Sequence, residues 1–365
     1  MNHHHLFNAT GWFNTGSLQE KSITSRNYDN YSYRLNYNTN LDNITLNSRL
    51  KLNSQFLAGL YTNKISIEQS DRNGKNKIKI DLLSLYRTND HYLINIAENR
   101  LEPELYRRTK NKRINNRIDI NIEHKYKYTH GNGKLNLAIK SSTLGSAYDY
   151  NILSFTAKNN NQLDKLKITT RAFLQIGSGS YWATESKLFL AGANTEEMMN
   201  SKFTRTHGFV PVDYLSYDYT TNHFHSGGGL NLRGYTGYLC PEFNTDGSIA
   251  SFDYSGTSGA SFNTEIDFSY YLPYSIRKNN IDAYLFADAG IITSNNLTKE
   301  NYKNSFSELR ADAGIGFTYT FDNFGPLEKV KPIIIRLDMP LFLNRAPADD
   351  DFIQLRWLIG INRAF

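Results

Sequence analysis

Residues 351–365 read DFIQLRWLIGINRAF, and this stretch indicates the fold of the chain. Apolar side chains recur at every second position, and polar or small side chains fill the positions between them. Alternation with a period of two is typical of a β-strand and excludes a helix. A strand of a soluble protein averages roughly 5–6 residues, whereas a tilted membrane strand needs about 9–11. The apolar face carries Ile353, Leu355, Trp357, Ile359 and Ile361, with Phe365 at its end.

Four further segments repeat the pattern at residues 260–272, 280–293, 308–321 and 330–341. In each of them, charged side chains such as Glu265, Asp312 and Arg336 share one face. A row of charges would be unstable in a dry core. A polar lumen accommodates such a row, so the pattern predicts an antiparallel transmembrane β-barrel with a wet interior.

The upstream half adds candidate strands separated by turns rich in Asn, Asp and Gly, which tolerate the left-handed conformation. Together with the five downstream strands they predict about sixteen strands, an even number as in bacterial barrels. Residues 1–16 are predicted to be a lead-in, and residues 17–365 the barrel. The upstream candidates are residues 17–26, 29–38, 41–53, 55–69, 76–88, 91–99, 115–129, 132–142, 148–159, 163–177 and 183–192.

The composition agrees with a membrane barrel. Hydrophobic residues make up 39% of the 365 residues, yet aromatics reach 13%, with 25 Tyr and 21 Phe. Abundant aromatics exclude disorder and fit the girdles of a barrel. The net charge of +6 is spread along the chain without a basic stripe, so we expect no nucleic-acid partner. The single cysteine, Cys240, excludes an intramolecular disulfide.

One connection, residues 192–258, is far longer than the others and has little strand pattern. Loops of this length are usually functional. It contains three consecutive glycines at 227–229, followed by Arg233, Gly234 and Tyr235. His207, His223 and His225 also lie there, and we expect surface histidines rather than a zinc site, because a zinc site needs three or four supported ligands.

The loop motif and the strands after it resemble the BamA/TamA superfamily of outer-membrane assembly factors, over roughly residues 183–365. The resemblance implies a sixth extracellular loop that folds into the lumen, where its arginine meets an acid on the next strand and an aromatic and an acid on the strand after. It also implies an outer-membrane location and recognition of the final aromatic by the barrel-assembly machinery. The matching residues are Arg233-Gly234-Tyr235, Glu265, Phe286-Ala287-Asp288-Ala289-Gly290, the segment 336–341 and the terminal signal Trp357, Ile359, Ile361 and Phe365.

Elementary chemistry leads to the same partners for Arg233. Its guanidinium has five fixed donors and does not deprotonate. A loop that enters a narrow lumen needs an oriented anchor, which a charge-assisted pair with Asp288 or Glu265 supplies. Phe286 could stack on the guanidinium plane. The plain alternative is that Arg233 is an ordinary solvated loop arginine.

Gly360 lies in the final strand, where a residue without a side chain weakens packing. It either weakens the seam between the last and first strands, which would permit lateral opening, or provides a kink that helps the barrel close. The sequence leaves both readings open.

The sequence contains no Gly-x-Ser-x-Gly elbow and no His-Glu-x-x-His pair. We therefore expect no enzymatic activity, no metal and no cofactor. Residues 1–11 do not have the pattern of a signal peptide. Because a barrel must be exported, we expect an upstream segment, either a signal peptide or a preceding domain.

Two functions remain open at this level. In the first, the barrel anchors or scaffolds an attached or partner protein in the outer membrane of a Gram-negative bacterium, in contact with lipids and lipopolysaccharide. In the second, it is a pore for outer-membrane protein assembly or polypeptide translocation. The absence of POTRA domains and the insert in the long loop favour the anchor. Residues 190–194 and 223–227 look similar to barrels that terminate surface zinc aminopeptidases of Bacteroidetes-type bacteria.

Overall fold

The computed structural model describes most of the chain as β-strand. The residues described are 5–13, 31–41, 47–57, 60–87, 114–201, 223–247, 249–274, 278–293, 295–296, 306–321, 332–347 and 351–365. Within these ranges, no helix is long and apolar enough to cross a membrane. Helix α1 covers Thr195–Asn200, and single 3-10 turns cover Thr184–Ser186, Arg233–Tyr235 and Ser269–Tyr271.

One antiparallel sheet of fourteen strands holds the described chain together, and its strands follow one another in sequence order. This confirms the prediction of an all-β fold with a large antiparallel sheet. Its strands are β1 His5–Phe13, β2 Tyr31–Asn40, β3 Ser48–Leu57, β4 Leu60–Ser70, β5 Asn76–Arg87, β6 Ile114–Tyr128, β7 Gly131–Ser142, β8 Asp149–Leu163, β9 Leu166–Tyr181, β14 Gly259–Asp267, β15 Ile281–Ile292, β17 Arg310–Thr320, β18 Ile334–Leu343 and β19 Leu358–Ile361.

The connection from β9 to β14, residues 182–258, is called the plug loop below. Besides α1 it contains short strands, which pair with one another and with one strand that follows β15 rather than joining the large sheet. Leu230 and Leu232 are fully buried and pack with side chains of β15 and β18. The short strands are β10 Leu188–Phe189, β11 Pro241–Phe243, β12 Ile249–Phe252 and β13 Ser255–Gly256, and β12 also pairs with β16 Asn295–Asn296.

The observed strands differ from the predicted strands in two places. Residues 5–13, predicted as part of a lead-in, form β1 and pair along their length with β2. Adjacent apolar residues, Leu6 with Phe7 and Trp12 with Phe13, obscure the alternation there. Residues 183–192, predicted as a strand, are instead a 3-10 turn and a two-residue strand. Leu188 and Leu190 are both buried in the apolar cluster that the plug loop forms with β15 and β18.

The predicted strands 17–26 and 91–99 lie outside the described residues. The ladders on either side of these segments join β1 to β2 and β5 to β6 directly. The sheet has fourteen strands among the described residues, against a prediction of about sixteen for the whole chain.

The outer face of the sheet is apolar on every strand. Large hydrophobic side chains that would be buried in a soluble protein are here exposed, for instance Ile67 at 48% and Ile176 at 55%. An exposed apolar area of this extent marks an interaction surface, and a belt that runs round all strands is the surface that lipid-facing barrels present.

The inner face encloses the plug loop. Loop residues make buried ion pairs with β5 and β6, the fifth and sixth strands of the sheet, and with β14 and β15, the tenth and eleventh. Because strands so far apart in the sheet contact one loop on the same face, the sheet must curl around it. The inner side is therefore a lumen, as in a barrel.

The last strand is much shorter than predicted. Only Leu358–Ile361 pair continuously with β18, and upstream of them a single bridge joins Ile353 to Phe342. Asn362 adopts a left-handed backbone with φ of 64°, which asparagine tolerates. The chain then turns inward, and the Phe365 ring lies 5.8 Å from the Arg233 guanidinium carbon. The outward row therefore ends at Ile361, and Phe365 does not continue it.

Glycines on β17 make room for lumen-facing rings. A Cβ atom at Gly316 would overlap the ring of Tyr284 on the neighbouring strand. The Tyr284 hydroxyl donates a hydrogen bond to Asp338, and Arg363 stacks 4.1 Å from the ring centroid. A ring that covers a glycine across two strands stabilises their register.

We predict that Gly316→Ala lowers the temperature at which the folded barrel unfolds, because overpacking costs roughly 1–3 kcal/mol. The measurement is heat-modifiability on gels over a temperature series. Ala313→Val is the matched control, because it enlarges an outward-facing residue of the same strand. Equal unfolding temperatures for the two variants would contradict the role of Gly316.

Candidate functional site

Arg233 lies on the lumen side of the sheet with no solvent-exposed surface. Its Nε donates to Asp288 Oδ2 at 2.8 Å, and its Nη1 donates to Glu265 Oε1 at 2.9 Å. A second carboxylate oxygen of Asp288 accepts from Nη2 at 3.3 Å. The guanidinium carbon lies 4.2 Å from the centroid of the Phe286 ring. The three partners predicted for Arg233 thus surround it on adjacent strands β14 and β15.

The sheet register explains this convergence. Glu265 of β14 pairs with Phe286 of β15, and Asn263 pairs with Asp288. Because side chains two residues apart share a face, all four point into the lumen. Arg233 therefore meets one acid on β14, Glu265, and one acid on β15, Asp288, together with the ring of Phe286.

Neighbouring side chains hold the anchor in place. Asn263 Nδ2 donates to Asp288 Oδ1 at 3.1 Å and to the Asn231 carbonyl at 3.1 Å. Arg171 of β9 donates to Asn263 Oδ1 at 2.8 Å and to the Gly229 carbonyl at 2.6 Å. These bonds satisfy both the carboxylate and the loop backbone, which a buried polar cluster requires.

Gly234 and Tyr235 complete the predicted motif. A Cβ atom at Gly234 would lie 2.7 Å from the Cβ of Asp312 on β17, so only glycine lets the loop approach this wall. Tyr235 is buried, and its hydroxyl donates to Asn344 Oδ1 at 2.8 Å. The motif therefore contacts β15 through its arginine and the β17 wall through the two residues that follow.

A second set of ion pairs, which the sequence did not reveal, fixes the plug loop to the opposite wall. Arg117 of β6 donates to Glu196 Oε2 at 2.6 Å, and a second bond makes the pair bidentate. Arg87 of β5 pairs with Glu185. Here the barrel supplies the arginines and the loop supplies the carboxylates, the reverse of the arrangement around Arg233.

Helix α1 presents Glu196 to Arg117. Asn194 caps the helix, since its Oδ1 accepts from the Glu197 amide and Glu197 Oε2 accepts from the Asn194 amide, both at 2.9 Å. Burial by itself would raise the pKa of Glu196, but the charge and hydrogen bonds of Arg117 hold that pKa at about 2. The Asn-x-x-Glu capping box was the sequence signal for this helix.

Gly360 lies opposite Arg336 in the β18–β19 ladder. A Cβ atom at this position would overlap the Arg336 guanidinium. That side chain is almost fully buried and pairs with Asp338 at 3.0 Å. Gly360 therefore provides space for a lumen arginine. Lateral opening of the seam between the last and first strands stays a prediction.

The residues predicted as a terminal barrel signal do not lie together. Trp357 and Ile359 are half-exposed on the outer side, at 44% and 43%, Ile361 ends β19, and Phe365 lies beside Arg233. Their role in recognition by the assembly machinery stays a prediction.

Of the two described loop histidines, His225 differs from the expectation of a surface position and His223 agrees with it. His225 is 2% exposed, and Arg336 Nη2 lies 2.6 Å from its Nδ1. His223 is exposed, and His207 lies outside the described residues. Among the described residues, no group of three or more His, Cys, Asp or Glu side chains is arranged to hold a metal ion.

We predict that Arg233→Ala lowers the unfolding temperature, since removing one partner of a buried ion pair costs about 3–5 kcal/mol. Glu265 and Asp288 would be left as buried charges without their arginine. Heat-modifiability and protease sensitivity of the plug loop measure the effect. Arg72→Ala is the control, because it removes the same charge from an exposed turn. A melting profile equal to that of the control would rule out the anchor.

We also predict that the stabilising effect of Glu196 depends on pH. Its pKa in the folded chain is about 2, below the ordinary value of 4.5. The contribution is therefore fully present above pH 4.5 and is lost as the pH falls towards 2. Wild type should exceed Glu196→Gln in unfolding temperature at pH 7, and the difference should vanish near pH 2.

Glu308→Gln is the control for Glu196, because the Glu308 side chain is 76% exposed. We expect this control to match the wild type closely at every pH, since exposed ion pairs contribute little. A pH-independent difference for Glu196→Gln would contradict an ionic role.

Comparison with solved structures finds similar folds at low sequence identity. BamA from Haemophilus ducreyi, lacking POTRA domains 1–3, is 12% identical, with 99% of this chain and 71% of that chain covered and a TM-score of 0.48. CdiB from Escherichia coli is 15% identical, with coverages of 90% and 49% and a TM-score of 0.42. CdiB from Acinetobacter baumannii is 10% identical, with coverages of 98% and 65% and a TM-score of 0.32.

Comparison at the level of sequence finds no such similarity. No family model matches the chain. No curated protein matches it either.

Proposed function

We propose that this chain is an outer-membrane β-barrel whose role is to anchor or scaffold an attached or partner protein. The observation that carries the proposal is the ionic attachment of the plug loop to both walls of the lumen. Arg233 is held by Glu265 and Asp288 on one side, and Glu196 is held by Arg117 on the other.

A loop fixed in this way makes a static plug. Breaking either pair leaves a charge in the lumen without its partner, which costs several kcal/mol. The core of the plug is apolar as well, with Leu230, Leu232 and Tyr235 packed against β15 and β18. Such an interior favours an occluded barrel and disfavours a diffusion pore.

The proposed location follows from the two faces of the sheet. The apolar outer belt suits contact with lipids and lipopolysaccharide, and the polar interior suits a barrel. The outer membrane of a Gram-negative bacterium is the usual setting of such barrels, and insertion would use the cell's barrel-assembly machinery. We propose no catalytic role, cofactor or metal for the chain itself.

The partner is best sought as a soluble protein, either fused to this chain or bound to it. The resemblance of residues 190–194 and 223–227 to barrels of surface zinc aminopeptidases suggests one kind of partner. In the structure these segments meet, since His225 Nε2 donates to the Ala191 carbonyl at 2.9 Å. The matching residues thus form one internal contact of the plug loop.

An assembly or polypeptide-translocation pore is the second candidate. One observation favours it: β19 pairs with β18 over only four residues, whereas β17 and β18 form nine residue pairs. A strand held by so short a ladder separates more easily from the sheet. A client polypeptide could then reach the lumen through the seam.

The experiment is affinity purification from native membranes in mild detergent, with intact-mass analysis and measured stoichiometry. The anchor role predicts one large soluble protein, covalently attached or present at one copy per barrel. A second barrel of similar size, purified in parallel, controls for adventitious binding. Recovery of periplasmic chaperones, lipoproteins or nascent barrels in its place would support the pore and contradict the anchor.

A further inference from the structure

Residues 223–227 of the plug loop run alongside the last strand of the sheet. The Ile359 amide donates to the His223 carbonyl at 2.7 Å, and the His225 amide donates to the Ile359 carbonyl at 2.9 Å. These two bonds form a parallel bridge between Phe224 and Ile359. We call residues 223–227 the edge segment.

The edge segment occupies the side of β19 that faces away from β18. On the edge of β19 that faces β18, Leu358 and Gly360 pair with Asp338 and Arg336. In a strand, the backbone groups of successive residues point to opposite edges, so Ile359 points its amide and carbonyl to the outer edge. Both groups are taken by the loop.

That outer edge is the end of the strand order. The order begins at β1 and ends at β19, and a barrel closes by pairing these two ends. Among the described residues, the ladder of β1 runs to β2. At Ile359, a backbone already bonded to the edge segment cannot also bond to β1.

Close contacts on both sides of the Phe224–Ile359 bridge fix the edge segment to the last strand. The His223 ring stacks on Trp357, with centroids 3.9 Å apart and planes 4° from parallel. A Cβ atom at Gly227 would overlap the Ala364 carbonyl. The edge segment therefore contacts the C-terminal residues of the chain at three places, Trp357, Ile359 and Ala364.

His225 locks the segment to β18. Its Nε2 lies 2.9 Å from the Ala191 carbonyl, which can only accept. Nε2 therefore carries the proton, and Nδ1 is free to accept from Arg336 Nη2 at 2.6 Å. Arg336 also donates to the His225 carbonyl at 3.1 Å.

Phe224 links the edge segment to a distant part of the sheet. It packs against an apolar cluster that includes Leu60 of β4 and Leu83 of β5, together with Met198 of α1. The edge segment thus joins β18 and β19, the last two strands of the sheet, to β4 and β5, its fourth and fifth strands.

We propose that the edge segment is a built-in brace that covers the outer edge of β19 and ties the last strands of the sheet to β4 and β5. The edge becomes available to another strand only when the plug loop is released. An uncovered edge would expose unpaired backbone groups, which lipid cannot satisfy, so the brace also protects the barrel. This proposal stands whether the barrel is an anchor or a pore.

Disulfide trapping in intact membranes tests the brace. The pair Phe224→Cys with Ile359→Cys should cross-link under mild oxidation in most molecules, seen as a mobility change on non-reducing gels. The native Cys240 should not interfere, since it is fully buried and burial raises its pKa to about 12. The control pair is Phe224→Cys with Leu355→Cys, which lies beyond the bridge.

A competing scan places a cysteine in turn at each residue of His5–Phe13, with Ile359→Cys as the fixed partner. If β1 covers the edge, one of these pairs cross-links in most molecules and the proposal is overturned. The proposal also fails if Phe224–Ile359 cross-links no more than the control pair. All variants are first checked for heat-modifiability, and His223→Cys with Trp357→Cys replaces the first pair if that one does not fold.

The Gly227→Val variant gives an independent readout. Its side chain has no space beside Ala364, so cross-linking between positions 224 and 359 should fall at least several-fold. Gly247→Asn is the control, because Gly247 has open space around it and a φ of 82° that asparagine tolerates. Unchanged cross-linking in Gly227→Val would contradict the brace.

Discussion

A guanidinium with no exposed surface can lie in the lumen only if carboxylates surround it, and this constraint organises the rest of the structure. Arg233 is charged at every accessible pH, so Glu265 and Asp288 must face it from adjacent strands. Their positions fix the height at which the plug loop crosses the lumen. The backbone around Arg233 is fixed in turn by Asn263 and Arg171, which donate to the carbonyls of Asn231 and Gly229.

The same constraint operates in reverse on the opposite wall. There Arg87 and Arg117 belong to the sheet, and the loop brings Glu185 and Glu196 to them. Strands β5 and β6 therefore offer cations to the loop, and β14 and β15 offer anions. Strand β17 adds one more cation, Arg310, which pairs with Glu242 of the loop. Exchanging the loop segments that meet β5–β6 and β14–β15 would place like charges together. Charge order thus specifies how the plug is seated, in addition to stabilising it.

The seated plug has consequences for the last strand. Arg336 fills the space left by Gly360, pairs with Asp338 and binds His225. Through His225 it aligns the edge segment with Ile359. The short ladder of β19 is thus supplemented by bonds from the loop on its other side. Occlusion of the lumen and closure of the seam are therefore coupled, since both depend on the position of one loop.

The sequence by itself determined the all-β fold and the polar inner face, because alternation depends only on residue order. It indicated the partners of Arg233 through the resemblance of the loop motif and the strands after it to a known superfamily. Only the tertiary structure decided that β1 covers residues 5–13, that Glu196 meets Arg117, and that the chain turns inward after Ile361. These features join residues far apart in the chain, and their partners are set by how the sheet curls, which no local pattern records.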